Sequence, residues 1–266
     1  MPSALDILTA LQLLPVKLTA AQWEAIQADV RDRAFFMALV EEATILQAHR
    51  DAVRSIMDGT ASKTDARLAI GDYLDAIGYQ APDGKEGTIQ DLRTTGRKNL
   101  VLETNQAMVA GAAQAEFFRG SVAFPAMRLV RVAERTEKRD WPKRWRLAYA
   151  QVRGQGASAQ EMVALNDSPI WVALSRFGLP YEPYDYNSGM GRRPVSWDEA
   201  EKLGLVTRAD APAIAAKGGD YESMNAGLQA SGAGLDSDIL SQLRVLGNGH
   251  IGIMGDTIEW QGGGRA

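Results

Sequence analysis

Residues 166–191 read NDSPIWVALSRFGLPYEPYDYNSGMG, and the remaining elements of the chain order themselves around this stretch. Ser168 is set to cap a helix with Pro169 at its first position, because the N–H that proline lacks is unpaired there in any case. Ile170, Trp171 and Leu174 supply an apolar face, and Gly178 is placed to end the helix in a left-handed turn. Pro180 and Pro183 follow, with Tyr181, Tyr184 and Tyr186 between and beyond them. Each proline fixes its own φ and restricts the residue before it, so this is a rigid aromatic loop and not a flexible linker. Asn187, Ser188, Gly189 and Gly191 close it in a tight polar turn. Such a loop is either the closing wall of a small domain or a docking surface with Tyr181, Tyr184 and Tyr186 as contacts. Its residues form no recognisable catalytic set.

Working outward, residues 128–133, RLVRVA, are rich in β-favouring side chains and predict a strand. MVAL at 162–165 predicts a second, and Leu205 with Val206 a third. On the far side of the loop, Ser196 and Glu199 form a capping box ahead of the helix WDEAEKL, ended by Gly204. Upstream, residues 92–119 predict a long helix. Val101, Thr104, Met108, Gly111, Ala112 and Ala115 fall on one stripe of it, and the stripe is small enough to let another backbone come close. That favours tight packing within the subunit, with self-association as the competing use. Gly111 costs about 1 kcal/mol in helix propensity relative to Ala, so its position calls for a packing reason.

QAPDGKEGT at 80–88 is the clearest loop and boundary. Before it, Thr19 is set to cap a helix over 19–57, with Trp23, Ile26, Val30, Ala34, Met37, Ile45, Ala48, Ala52 and Ile56 at three- or four-residue steps. Asp58-Gly59 breaks it. A second helix follows Ser62 or Thr64 and stops at Gly78, giving a helical hairpin. Phe35 and Phe36 cover more than one face of the first helix. After Arg208 the chain thins into Ala, Gly and Ser, with weak helix at 222–230 and a last helix from Asp236 or Ser237 to 246. Residues 250–254 and 257–260 predict a hairpin turned at Gly255-Asp256.

The totals exclude several chemistries. A chain of 266 residues that is 45% apolar can hold one large domain or two small ones. With no Cys there are no disulfides or thiolate metal sites, and His49 and His250 are too few for a histidine-based zinc site without carboxylate help. The net charge of −4 does not suggest a general polyanion binder. The N-terminal MPSALDILTALQLLPVK lacks a basic n-region and reads poorly as a signal peptide. No run approaches the ~20 apolar residues needed to span a bilayer, so no membrane contact is expected. GNGHIG at 247–252 matches a dinucleotide-binding string but precedes a strand-like run, whereas such a site needs a helix N-terminus behind its glycines. Asp167 and Asp185 read as caps and turn formers. No catalytic residue, cofactor or metal is assigned.

Charge is concentrated in one place. Between 128 and 153 lie nine basic residues, Arg128, Arg131, Arg135, Lys138, Arg139, Lys143, Arg144, Arg146 and Arg153, against three acids, which leaves six positive charges in excess. Trp141 and Trp145 are interleaved. Cations with aromatics suit a phosphate backbone, since Arg stacks on bases and on Trp. A solvated hairpin arm whose tryptophans pack on the core is the first reading, with contact to DNA the second and to an acidic protein partner the third. Apart from Arg153, these basic residues and the two tryptophans are the candidate contacts with DNA or a partner.

Several strings together carry a resemblance. VLETNQAMVAGAAQAEFF, DSPIW, SRFGLPYEPYDYNSGMG and VSWDEAEKLGL, with RDRAFFMA near the start, resemble in sequence and order the phage head-morphogenesis proteins, the minor head proteins related to the Mu F protein. The resemblance spans roughly residues 20–206. It implies a virion structural protein at the portal or inner capsid face, made in the host cytoplasm, with portal or capsid protein as partner and a role in head assembly and DNA packaging or delivery. Many relatives carry a His near a short acidic turn and paired cysteines at the end of the aromatic loop. Trp145-Arg146 and Asn187-Ser188-Gly189 stand in those places here, so the resemblance implies no metal. The competing functions are a DNA-binding accessory protein and an enzyme of unknown class; the stretch after 208 is too short for the toxin or transferase domains fused to some relatives.

The expected architecture is α+β: a helical N-terminal region over 1–80, a central domain over 88–208 with a long helix and a small antiparallel sheet, and a C-terminal extension over 209–266 with a short helix and a β-hairpin.

Overall fold

The computed structural model describes residues 3–13, 19, 34–135, 139–217, 229–231, 251–254 and 257–260. The fold is α+β. Two compact units divide within the long helix: one gathers residues 3–109 with the strands near the C-terminus, the other the residues from 110 onward as far as 217.

In the first unit, α1 (Ala4–Ala10) is opened by a capping box in which Ser3 and Asp6 exchange hydrogen bonds. β1 (Gln12–Leu13) pairs in parallel with β2 (Ala34–Phe35). The helix expected over 19–57 is therefore not continuous. Residues 34–35 are extended, Leu39 takes a positive φ of 65°, and α2 runs only from Ala43 to Met57. Phe35, Met37 and Val40 are buried while Phe36 and Ala38 are only half so. That alternation is a strand's period, and it explains why two adjacent phenylalanines fitted no single helical face. Trp23, Ile26 and Val30, expected on that helix, lie outside the described residues.

α2 ends where Gly59 turns left-handed, and α3 (Lys63–Ala76) starts at the Ser62–Asp65 capping box. Ile45, Leu46 and Val53 of α2 and Ala66, Ile70 and Leu74 of α3 are buried, so the two helices pack through period-3.6 faces. α4 (Thr95–Phe118) begins three residues later than the sequence suggests. Near the C-terminus, β6 (Gln229–Ser231), β7 (Ile251–Met254) and β8 (Thr257–Trp260) form an antiparallel sheet in the order β6–β8–β7. The expected hairpin is present as β7–β8. Residues 229–230, expected in a weak helix, are instead strand; the turn at 255–256, the helix from 236 and the rest of 222–228 lie outside the described residues.

The second unit is built on a three-stranded antiparallel sheet, β3 (Ala126–Arg131), β4 (Val163–Leu165) and β5 (Met190–Val195), in the order β4–β3–β5. The third strand is MGRRPV and not Leu205-Val206. Pro194 is tolerated because β5 lies at the sheet's edge. Successive side chains face opposite ways, and both faces are covered. Met127, Leu129, Ala164 and Met190 pack with α5 (Trp141–Gln151) and the one-turn α6 (Ile170–Leu174). Ala126, Val163 and Val195 pack with Ala200 of α7 (Trp197–Lys202) and Ile214 of α8 (Ala211–Ala215). Helix α6 differs from expectation at both ends. Pro169 is the cap residue, and the helix stops at Leu174, four residues before the left-handed Gly178. Ser168 donates its hydroxyl to the Gln155 carbonyl and accepts the Ile170 N–H.

Candidate partner-binding surface

Residues 141–151 of the basic segment form the helix α5 where a hairpin arm was expected, and its tryptophans do pack on the core. Asp140 caps α5 by accepting the Lys143 N–H, and Pro142 sits in its first turn. Trp141, Trp145 and Ala148 recur at helical spacing and are buried. Trp145 meets Trp171 edge-on at 5.5 Å, and Trp171 stacks on Tyr184 at 5.9 Å. The indole N–H of Trp145 donates to the Ser158 carbonyl and that of Trp171 to the Leu165 carbonyl, both at 2.8 Å. Two of the candidate DNA contacts are thus core residues, with no ring face offered to a base.

The aromatic loop is likewise mostly interior. Tyr184 is fully buried and Tyr181 nearly so; Tyr186 is half-buried, edge-on to Phe177 at 4.8 Å. Burial pushes the Tyr184 phenol well above its usual range, against the pull of Arg192 and with a smaller push from Glu182. Of the three tyrosines only Tyr186 keeps appreciable surface for a partner.

Arg192, Arg139 and Arg144 anchor this loop, and α4 backs it. Arg192, itself buried, donates from Nε to Glu182 Oε2 at 2.9 Å and from Nη1 to the Pro180 carbonyl, while its backbone N–H donates to Glu182 Oε1. Its guanidinium lies 5.4 Å from the Trp171 ring centre. The Glu182 backbone rests against Gly111 of α4, where there is no room for a Cβ. The small-residue stripe therefore meets a backbone of the same chain at this point. At the loop's other end Arg139 donates to the carbonyls of Tyr186 and Asn187. Arg144 donates to Asp185 Oδ2 at 2.8 Å.

Asp185 is the hub of the site. Arg144, Arg139 and Arg176 approach its carboxylate at 2.8, 3.4 and 3.8 Å. One negative charge thus serves three guanidiniums. A reading of Asp185 as a turn former misses this, although it also accepts the Tyr186 N–H as such a residue does. Arg176 and Arg192 carried no signal in the sequence beyond their charge.

The other candidate contacts are dispersed. Arg128 leaves the sheet on the α7 side and pairs with Glu199 at 2.8 Å and Glu161 at 3.2 Å. Arg131 is half-buried, and Lys138 lies outside the described residues. Arg135, Lys143 and Arg146 are exposed. Beside Lys143 on α5, Leu147 is 64% exposed although it is apolar. Arg144, Leu147 and Ala148 of α5 face Leu174, Ser175 and Arg176 across a groove of about 370 Å³. Such an arrangement can grip a neighbour by burying apolar surface and pairing charge.

Among the described residues no group of three or more His, Asp or Glu is placed to hold a metal ion, and no helix is long and apolar enough to cross a membrane. Comparison with protein families, with curated proteins and with solved structures returns no match to this chain.

Proposed function

We propose that the chain is a minor head protein of a phage, acting at the portal or inner capsid face during head assembly and DNA packaging or delivery. One observation carries the reading: the motifs shared with that class, from ETN at 103–105 through DSPIW to WDEAEKLGL, follow one another in the family's order. The mechanism is association and not bond chemistry. In support, the loop's two acids, Glu182 and Asp185, are both engaged by arginines, so neither is poised as a general base. The exposed Lys143, Arg146 and Leu147 offer charge and apolar area together. Portal or capsid protein is the partner.

The test is to express the gene with its neighbours, purify the heads, and quantify the chain in them by mass spectrometry. Low-copy incorporation is expected. Otherwise complete heads that lack the chain refute the proposal.

The exposed cations Arg135, Lys143 and Arg146 favour a second reading, a DNA-binding accessory protein. A salt titration with duplex DNA decides it. Each phosphate neutralised contributes about −0.9 to the slope of log K against log salt, and absence of affinity at low salt removes the reading.

A further inference from the structure

We infer that the groove between α5 and α6 docks an extended segment of a partner protein in which apolar and acidic side chains alternate. This deepens the association reading above by naming the partner's chemistry. Three observations lead to it.

The first is Leu147. The buried face of α5 runs through Trp141, Trp145 and Ala148, and Leu147 stands off it with nearly two thirds of its surface in water. Ala148 and Leu174 form an apolar floor beside it, and Val172 on α6 is also exposed. An apolar side chain laid here covers the floor and Leu147 together.

The second is the charge at the rim. Arg144 and Arg176 border the groove, and Lys143 lies one helical turn before Leu147, close enough to flank it. Asp185 is the carboxylate that Arg139, Arg144 and Arg176 share, so the rim carries net positive charge beside an apolar floor. Carboxylates next to the inserted apolar residue complement that charge.

The third separates protein from nucleic acid. A phosphate backbone pairs with the cations but leaves Leu147 and the floor wet. Stacking of bases needs ring faces, and Trp141 and Trp145 are 1% and 0% exposed. A peptide satisfies both halves of the groove.

The experiment uses the full chain and a fluorescent synthetic peptide alternating leucine with aspartate, read by anisotropy. Two control peptides replace the leucines by serine or the aspartates by asparagine. The acidic leucine peptide is expected to bind, with both controls at least about tenfold weaker, a difference of about 1.4 kcal/mol. Leu147→Ser and Lys143→Glu are each expected to weaken it about tenfold while thermal melts stay unchanged, since both side chains are exposed. The inference is overturned if the acidic leucine peptide does not bind, if the asparagine control binds as well, or if Leu147→Ser leaves binding intact. Duplex DNA that binds through Leu147 and Lys143 more tightly than the peptide overturns it too. Incorporation into heads is measured separately, so the docking site and the minor-head reading can fail one without the other.

Discussion

Replacing Gly111 by alanine sets two effects of opposite sign against each other. Gly111 lies inside α4, where alanine is favoured over glycine by about 1 kcal/mol because it loses less backbone entropy. A helix considered alone is therefore stabilised by the change. In the folded chain the new Cβ lies 3.1 Å from the Glu182 nitrogen and nearer still to its carbonyl oxygen. Both are backbone atoms and cannot rotate away. Nor can the loop retreat as a whole, because Arg192 holds the Glu182 carboxylate and the Pro180 carbonyl together. Overpacking of a close-packed site costs about 1–3 kcal/mol, and a backbone-on-backbone clash belongs at the upper end. The expected net loss is about 2 kcal/mol, or a fall in Tm of roughly 6–8 °C for a unit of this size. Thermal melts and urea titrations of the two proteins measure it. Ala110→Gly, at an exposed neighbouring position, is the control and loses only the propensity of about 1 kcal/mol. A Gly111→Ala protein that melts above the parent shows that propensity outweighs the contact and refutes the assigned packing.

Other perturbations have equally definite outcomes. His49 is fully buried, its Nδ1 2.8 Å from the Ile45 carbonyl oxygen, and desolvation aided by Arg97 and Lys98 lowers its pKa to about 4. The unfolded imidazole takes up a proton below about pH 6.5 and the folded one only near pH 4, so stability falls with pH across that window, by up to about 3 kcal/mol. The loss in urea titrations from pH 7 to pH 4.5 should be smaller in His49→Leu than in the parent; an identical loss in both disproves the assignment. Arg192→Met strands Glu182, and Glu182→Gln leaves the buried Arg192 guanidinium without its counter-charge, so each should cost about 3–5 kcal/mol; denaturant midpoints unchanged in both variants contradict the assigned pairing. Gly189→Ala meets two penalties, a φ of 64° and a Cβ pressed on the Ala133 carbonyl, and should destabilise by more than about 1 kcal/mol in the same assay.

Local chemistry made some elements readable in the sequence. The Ser62 and Ser196 caps and the left-handed Gly59 and Gly78 each encode their conformation within a few residues, and those elements are where they were expected, while the β-rich run expected over 128–133 forms its strand two residues earlier, over 126–131. Strand β5 is the opposite case. MGRRPV combines glycine, proline and two arginines, and its place in the sheet depends on pairing with β3 and on the burial of Arg192 against Glu182. Residues 34–40 misled because Ala34 and Met37 fit a helical step while Phe35 and Met37 also fit a strand's alternation; pairing with Gln12 and Leu13 decides between them. For the site, the charge cluster was visible but its sharing out was not. Asp140-Trp141-Pro142 is a helix start, and reading it so would have placed both tryptophans on the core face and left Leu147 outside it. That Asp185 gathers guanidiniums from 139, 144 and 176 is a tertiary fact with no local signature.

The edge-on pair Trp145–Trp171, with Tyr184 stacked behind it, has an optical consequence. Chromophores locked at fixed angles in an asymmetric interior produce strong near-ultraviolet circular dichroism, and that signal vanishes when packing loosens even if helices persist. All three rings belong to the unit that carries the sheet β4–β3–β5. The band they generate is a built-in gauge of that unit's order, and it can be followed through a titration without attaching any label.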